Sequence, residues 1–257
     1  MADEKSAKNG AVLDKLILRF LEKGAETDFK PYVSLVSESF GRCMKLVTES
    51  EKADREVASE ILRSAVVLNH ACLEDFMRTL VLAFLPAAPA DALDGIPLAG
   101  GPDERAERFS LGKLAQHKGK SVDQVIAESV SKYMERSTFS GVNEIMGFLK
   151  RINLRLPDGK HKNSNSIPEL PVTSNTLAML DEMIRRRHHI VHRADRAKSG
   201  SGLQPISSVQ VMGWLVATMT FALSTAQTAF MKRYSFQEFQ KKIEAMRIVY
   251  EKAKSKK

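Results

Sequence analysis

The chain has 257 residues, 43% of them hydrophobic and 27% charged, with a formal net charge of +8. These are the proportions of a soluble globular protein, long enough to bury a substantial core in one large domain or two small ones. Its two cysteines, Cys43 and Cys72, argue against a disulfide scaffold or a cysteine-based zinc site, and the basic balance favours a polyanionic partner such as RNA, DNA or an acidic protein.

The start, "MADEKSAKNG", has no apolar segment behind a basic cap, so no signal peptide is read there. No run approaches the roughly 18 apolar residues of a membrane-spanning helix. Reduced cysteines and these absences make the cytoplasm the expected compartment, with no membrane partner. "AVLDKLILRFLEKG" carries apolar residues at helical spacing and stops at Gly24. "FKPYVSLVSESFGRCMKLVTES" is a second helix with Pro31 in its first turn. A long helix follows from Asp54 to Leu85, with Leu62, Val66, Leu73, Phe76, Leu80 and Phe84 on one face. Pro86 and Pro89 end it, and the Pro-, Gly- and Ala-rich stretch behind them reads as a surface loop.

Shorter helices are predicted over 111–136 and 141–151, then a polar, proline-punctuated loop over 153–174. The next helix starts near Ser174 or Asn175, both good caps, and ends before "KSGSG". Helices over 206–231 and from 235 onward complete the chain. The tail "KKIEAMRIVYEKAKSKK" supplies much of the positive excess and reads as a solvated end. With little strand signal, no internal repeat and no long heptad pattern, an all-α domain with an N-terminal helical extension is the economical reading. Residues 1–53 form the extension, 54–234 a helical bundle with inserted loops 86–110 and 153–174, and 235–257 a C-terminal helix and basic tail.

The helix from 174 contains "RRRHHIVHRAD", residues 185–195. On a hundred-degree wheel Leu177, Leu180, Met183, Ile184, Ile190 and Val191 gather on one side, the expected packed face. Arg185, Arg186, His189 and Arg193 fall opposite, toward solvent. Arg187 instead projects into the apolar stripe, and His188 and His192, four apart, stack on its edge. A guanidinium on a packed face needs a carboxylate or a wet cleft. Glu74 or Asp75 could supply the first; a cleft that takes phosphate would suit the planar arginine fork. A zinc site on His188 and His192 is disfavoured, because the motif lacks a metalloprotease glutamate and no third ligand is evident. His70 and His117 read as structural or surface residues, and Trp214 with the methionines of 211–231 as core or dimer interface.

Arg187-His188-His189-Ile190-Val191-His192 fits the R-x4-6-H pattern of the HEPN superfamily. "LDEMIRRRHHIVHRAD" resembles the second signature helix of RiboL-PSP-type HEPN proteins, and "LNHACLEDFMRTL" (68–80) resembles the first, in which an acidic residue sits among apolar ones. The resemblance covers roughly residues 55–232; where such proteins often carry asparagine after the arginine, this chain has His188. It implies an up-and-down helical bundle whose copies pair with both motifs facing one cleft. It also implies a metal-independent endoribonuclease without cofactor, of toxin–antitoxin or phage- and stress-defence type, with RNA as substrate and an antitoxin or other regulatory protein as a further partner. Other members keep the fold as non-catalytic RNA- or protein-binding modules.

Under that resemblance His192 is the base or acid and Arg187 the phosphate stabiliser. His188, Glu74, Arg186 and Arg193 are positioning or RNA-binding residues, Glu74 by pairing with Arg187. No glycine-rich phosphate loop supports nucleotidyl transfer. The five-residue step sets Arg187 and His192 about 140° apart on an ideal helix, so either the helix distorts near its end or two subunits contribute complementary pairs, an argument for a dimer.

Overall fold

Asp54 shows how the sequence sets its helices: its Oδ1 accepts the backbone N–H groups of Glu56 and Val57 at 3.1 and 3.0 Å, capping the long helix that follows. In the computed structural model, residues 30–99, 117–152, 154, 172–197 and 202–233 are described. Their helices are α1 (Lys30–Ser50), α2 (Arg55–Phe84), α3 (Ala90–Leu93), α4 (Val122–Arg136), α5 (Val142–Arg151), α6 (Ser174–Arg193) and α7 (Ser208–Arg233), with a 3-10 turn at Leu85–Ala87. No strand occurs among the described residues; one isolated bridge joins Arg196 and Leu203. The class is all-α. The expected helices over residues 11–24 and from 235, and most of the loop 153–174, lie outside the described residues.

The chain divides into two compact units, one of Met1–Phe76 with Leu156–Lys257 and the other of Met77–Arg155. In the first unit, α1 buries Val33, Val36, Phe40, Cys43 and Val47, one every three or four residues, and this face packs on α7. The expected stripe of α2 is seen as buried Leu62, Val66 and Leu73. Each such aliphatic or aromatic side chain contributes about 1.5–3 kcal/mol by leaving water. Cys43 and Cys72 face each other with sulfurs 3.9 Å apart, both as free thiols. The hydrogen bond to Cys72, followed by burial, pushes the Cys43 thiol up and keeps it protonated. Asn69 on α2 reaches Thr218 on α7 at 3.3 Å.

Helix α7 corrects one expectation. Ser208–Ala229 is long and apolar enough to cross a membrane, with a mean hydropathy of 1.4. Alanine, serine and threonine separate its large residues, so no unbroken apolar run announces it in the sequence. Two thirds of that stretch (67%) is buried inside the protein, where α7 contacts both α1 and α6 and buries Trp214, Met219, Phe221 and Leu223. A helix apolar on nearly all sides is what a central position requires.

In the second unit, Met77, Leu80 and Val81 of α2 are buried together with Leu85, Val130, Met134, Phe139, Ile145 and Leu149. Helix α4 packs on the 3-10 turn and starts with a reciprocal capping box between Ser121 and Gln124. The segment before it is more than a surface loop: Ala99 is buried, donates its N–H to Ser129 Oγ at 3.0 Å, and contacts His117 Nε2 through its carbonyl at 2.8 Å.

Candidate functional site

Helix α6 begins at Ser174, as expected, but its cap is the residue before. Thr173 has the extended backbone of a cap and its Oγ1 accepts the Thr176 N–H at 3.1 Å, while Ser174 is already helical. Leu180, Met183 and Ile184 then bury against the unit. Met179 comes so close to α7 that a Cβ on Gly213 would lie 2.9 Å from its Cε, and Gln210 bonds Glu182 at 3.4 Å. This antiparallel register places Ser208, the first residue of α7, level with Ile184. Residues 185–193 therefore run past the start of α7.

The packed face ends there too, which corrects the wheel. Ile190 is only half-buried and Val191 is 47% exposed, because α7 no longer lies opposite them. Arg187 is half-buried, and its Nε is inaccessible yet makes no hydrogen bond. The carboxylate expected to pair with it, Glu74, has its Oε2 4.0 Å from His70 Nδ1, one turn away on α2.

His188 and His192 are exposed, with ring centroids 4.5 Å apart and planes inclined at 46°. Desolvation, then the neighbouring His192, Arg193, His189 and Arg187, push the His188 pKa below the ordinary histidine value. A neutral imidazole beside an arginine can accept a proton or a hydrogen bond. Arg193 is exposed, and Arg185 pairs with Asp181 at 3.0 Å on the surface. Among the described residues no group of three histidine, cysteine or carboxylate side chains could hold a metal ion.

Arg186 is the second correction. The wheel sends it to solvent, but its side chain is only 12% exposed. After Arg193 the chain turns back through Ala194 and Asp195, both in the left-handed region (φ 48° and 55°), and the Asp195 N–H bonds the His189 carbonyl at 3.1 Å. The Gln204 N–H meets the Asp195 carbonyl at 2.9 Å, and Gln204 and Pro205 lie against the Arg186 side chain. The Asp195 carboxylate is buried, and its Oδ2 accepts both Arg186 Nη2 and Arg63 Nε at 2.8 Å. Arg186 also donates to the carbonyls of Gln204 and Pro205, and Arg63 to Gln204 and to Glu60. Gln204 Nε2 lies 3.3 Å from His189 Nδ1.

The structure thus pairs His188 with His192 toward the end of α6, leaves Arg187 half-buried on the same helix, and ties Arg186 into a clamp with Arg63 and Asp195. Sequence reasoning missed Arg63 and Asp195. The available signal was the lone acid directly after a basic helix end. Comparison with family models, with characterised proteins and with solved structures gives no match.

Proposed function

We propose that the chain is a metal-independent endoribonuclease of HEPN type, acting in the cytoplasm as a toxin or defence effector. The observation that carries this reading is the pair of exposed histidines in ring contact, beside an arginine whose buried Nε makes no hydrogen bond, on helical turns that α7 does not cover. The all-α fold agrees with it.

The chemistry follows from these groups. An imidazole, His192, takes the proton of an RNA 2′-hydroxyl; the oxygen attacks the adjacent phosphorus and the bond to the 5′-oxygen breaks. A second imidazole returns a proton to that leaving oxygen. The products carry a 2′,3′-cyclic phosphate and a 5′-hydroxyl. Arg187 offers its outer guanidinium nitrogens to the phosphoryl oxygens as their charge grows. His188, held neutral, positions the attacking hydroxyl. Because Arg187 and His192 diverge by about 140° around the helix, a second copy supplies the complementary pair, and an antitoxin-like protein is a fitting regulator of the exposed site.

The test is incubation with mixed RNA in EDTA, followed by analysis of the ends. Cyclic-phosphate ends are expected, with a loss of about 10²–10⁴-fold in rate for His192→Ala and a comparable loss for Arg187→Ala, both variants remaining folded. Wild-type cleavage by folded His192→Ala removes the catalytic assignment. Stoichiometric RNA binding without turnover by the native protein replaces it with a non-catalytic binding module.

A further inference from the structure

The second unit holds a cavity of about 640 Å³, and none of the residues lining it comes from α6. That volume lies in the range of small-molecule sites. Its walls include Lys132, Tyr133 and Arg136 of α4 and Glu144, Gly147, Phe148 and Arg151 of α5. Lys132 and Arg151 thus stand against the one carboxylate among the described lining residues, and Glu144 already accepts the backbone N–H and hydroxyl of Ser140 at 2.8 and 3.0 Å. The excess positive charge calls for an anion.

The apolar part of the wall is aromatic. Tyr133 and Phe148 have ring centroids 6.2 Å apart and planes inclined at 52°, and Phe148 is backed by the buried Phe139 at 5.1 Å. Arg151 stands 5.8 Å from the Tyr133 ring centre and donates Nη1 to its hydroxyl at 3.3 Å, so a guanidinium is held against the aromatic wall.

Gly147 adds an independent observation. It lies in the interior of α5, where glycine is the least favoured residue after proline. Neither a positive φ nor a close neighbour requires it there, since a Cβ added at this position meets nothing within 4 Å. The space it leaves open belongs to the cavity.

We propose that this cavity binds a nucleoside phosphate, with the phosphate against Lys132 and Arg151 and the base against Tyr133 and Phe148. Arginine suits phosphate through its planar fork, and stacking on aromatic rings is tolerant of base identity. The proposal does not depend on the ribonuclease reading of α6.

Equilibrium dialysis of the full chain against the four 5′-mononucleotides, inorganic phosphate and adenosine tests it. At least one mononucleotide is expected to bind about ten-fold more tightly than either fragment. Gly147→Leu places a side chain in the open volume and is expected to weaken nucleotide binding about ten-fold without lowering the melting temperature, because leucine is a better helix former. Lys132→Gln weakens binding of the mononucleotide and leaves adenosine binding unchanged. A 5′-phosphorylated 2′-O-methyl oligoadenylate, uncleavable by 2′-hydroxyl attack, separates two sources of the same chemistry: binding equal to 5′-AMP assigns the site to a strand end, weaker binding to free nucleotide. Failure of all four mononucleotides, binding no tighter than inorganic phosphate, or undiminished binding by Gly147→Leu overturns the proposal.

Discussion

Replacing Asp195 by asparagine keeps the side-chain shape and the tolerance for a left-handed backbone, but removes the carboxylate that two guanidinium groups share. Arg63, Arg186 and Asp195 have side chains 7%, 12% and 1% exposed, and both bonds to Oδ2 measure 2.8 Å. Removing one partner of such a buried pair costs about 3–5 kcal/mol, because it leaves charge without compensation. The carbonyls of Gln204 and Pro205 and the 60%-exposed Glu60 remain as partial partners, so the low end, about 3 kcal/mol, is expected. With a urea dependence of about 2 kcal/mol per molar, the unfolding midpoint falls by about 1.5 M. Equilibrium urea unfolding followed by fluorescence of Trp214, buried in the same unit, reads this directly. Arg186→Met destabilises too, and the double variant loses less than the sum, since the two changes remove the same bond. A midpoint shift below about 0.3 M for Asp195→Asn, well under 1 kcal/mol, refutes the clamp.

Ala194→Gly is expected to stabilise the protein by about 0.5–1 kcal/mol in the same assay, because an L side chain at φ 48° is strained and glycine is not. Thr173→Ala removes the cap of α6 and lowers stability by about 1 kcal/mol, measured as a matching drop in the urea midpoint. His188 supplies a pH test. Its folded pKa lies below the ordinary histidine value, so below about pH 6.5 the unfolded chain takes up this proton before the folded one. Stability from this residue is present above that pH and falls as pH drops toward the lowered folded value; His188→Asn flattens the corresponding slope of midpoint against pH.

The regular pattern of buried side chains on α1 and α2 was readable because a helix with one buried side writes that side into its own spacing: Val33, Val36, Phe40 and Val47, or Leu62, Val66 and Leu73. The pairing of His188 with His192, four residues apart, was readable for the same reason. What a wheel cannot contain is the length and course of the neighbouring chain. Ile190 and Val191 continue the apolar stripe but lie beyond the start of α7, which is level with Ile184. Arg186 lies on the polar side, yet two consecutive left-handed residues fold the chain back over it. Their identities, Ala194 and Asp195, carry no glycine signal for such a turn. The cavity of the second unit was equally hidden, since Tyr133 and Phe148 belong to different helices and nothing in their spacing announces that they meet.

The overhang of α6 is a beam supported at both ends: Leu180, Met183 and Ile184 seat one end, and the Asp195 clamp pins the other. Tolerance to substitution should therefore change sharply between adjacent letters of the same basic run. Arg186 and Asp195 are expected to be intolerant on grounds of folding alone, while His188 and His192, with exposed side chains, are free to vary as far as folding is concerned. A mutational scan scored for abundance and again for activity would separate these roles at single-residue resolution. Any constraint on His188 or His192 seen in the second score but not in the first belongs to what the protein does, because the beam stands without them.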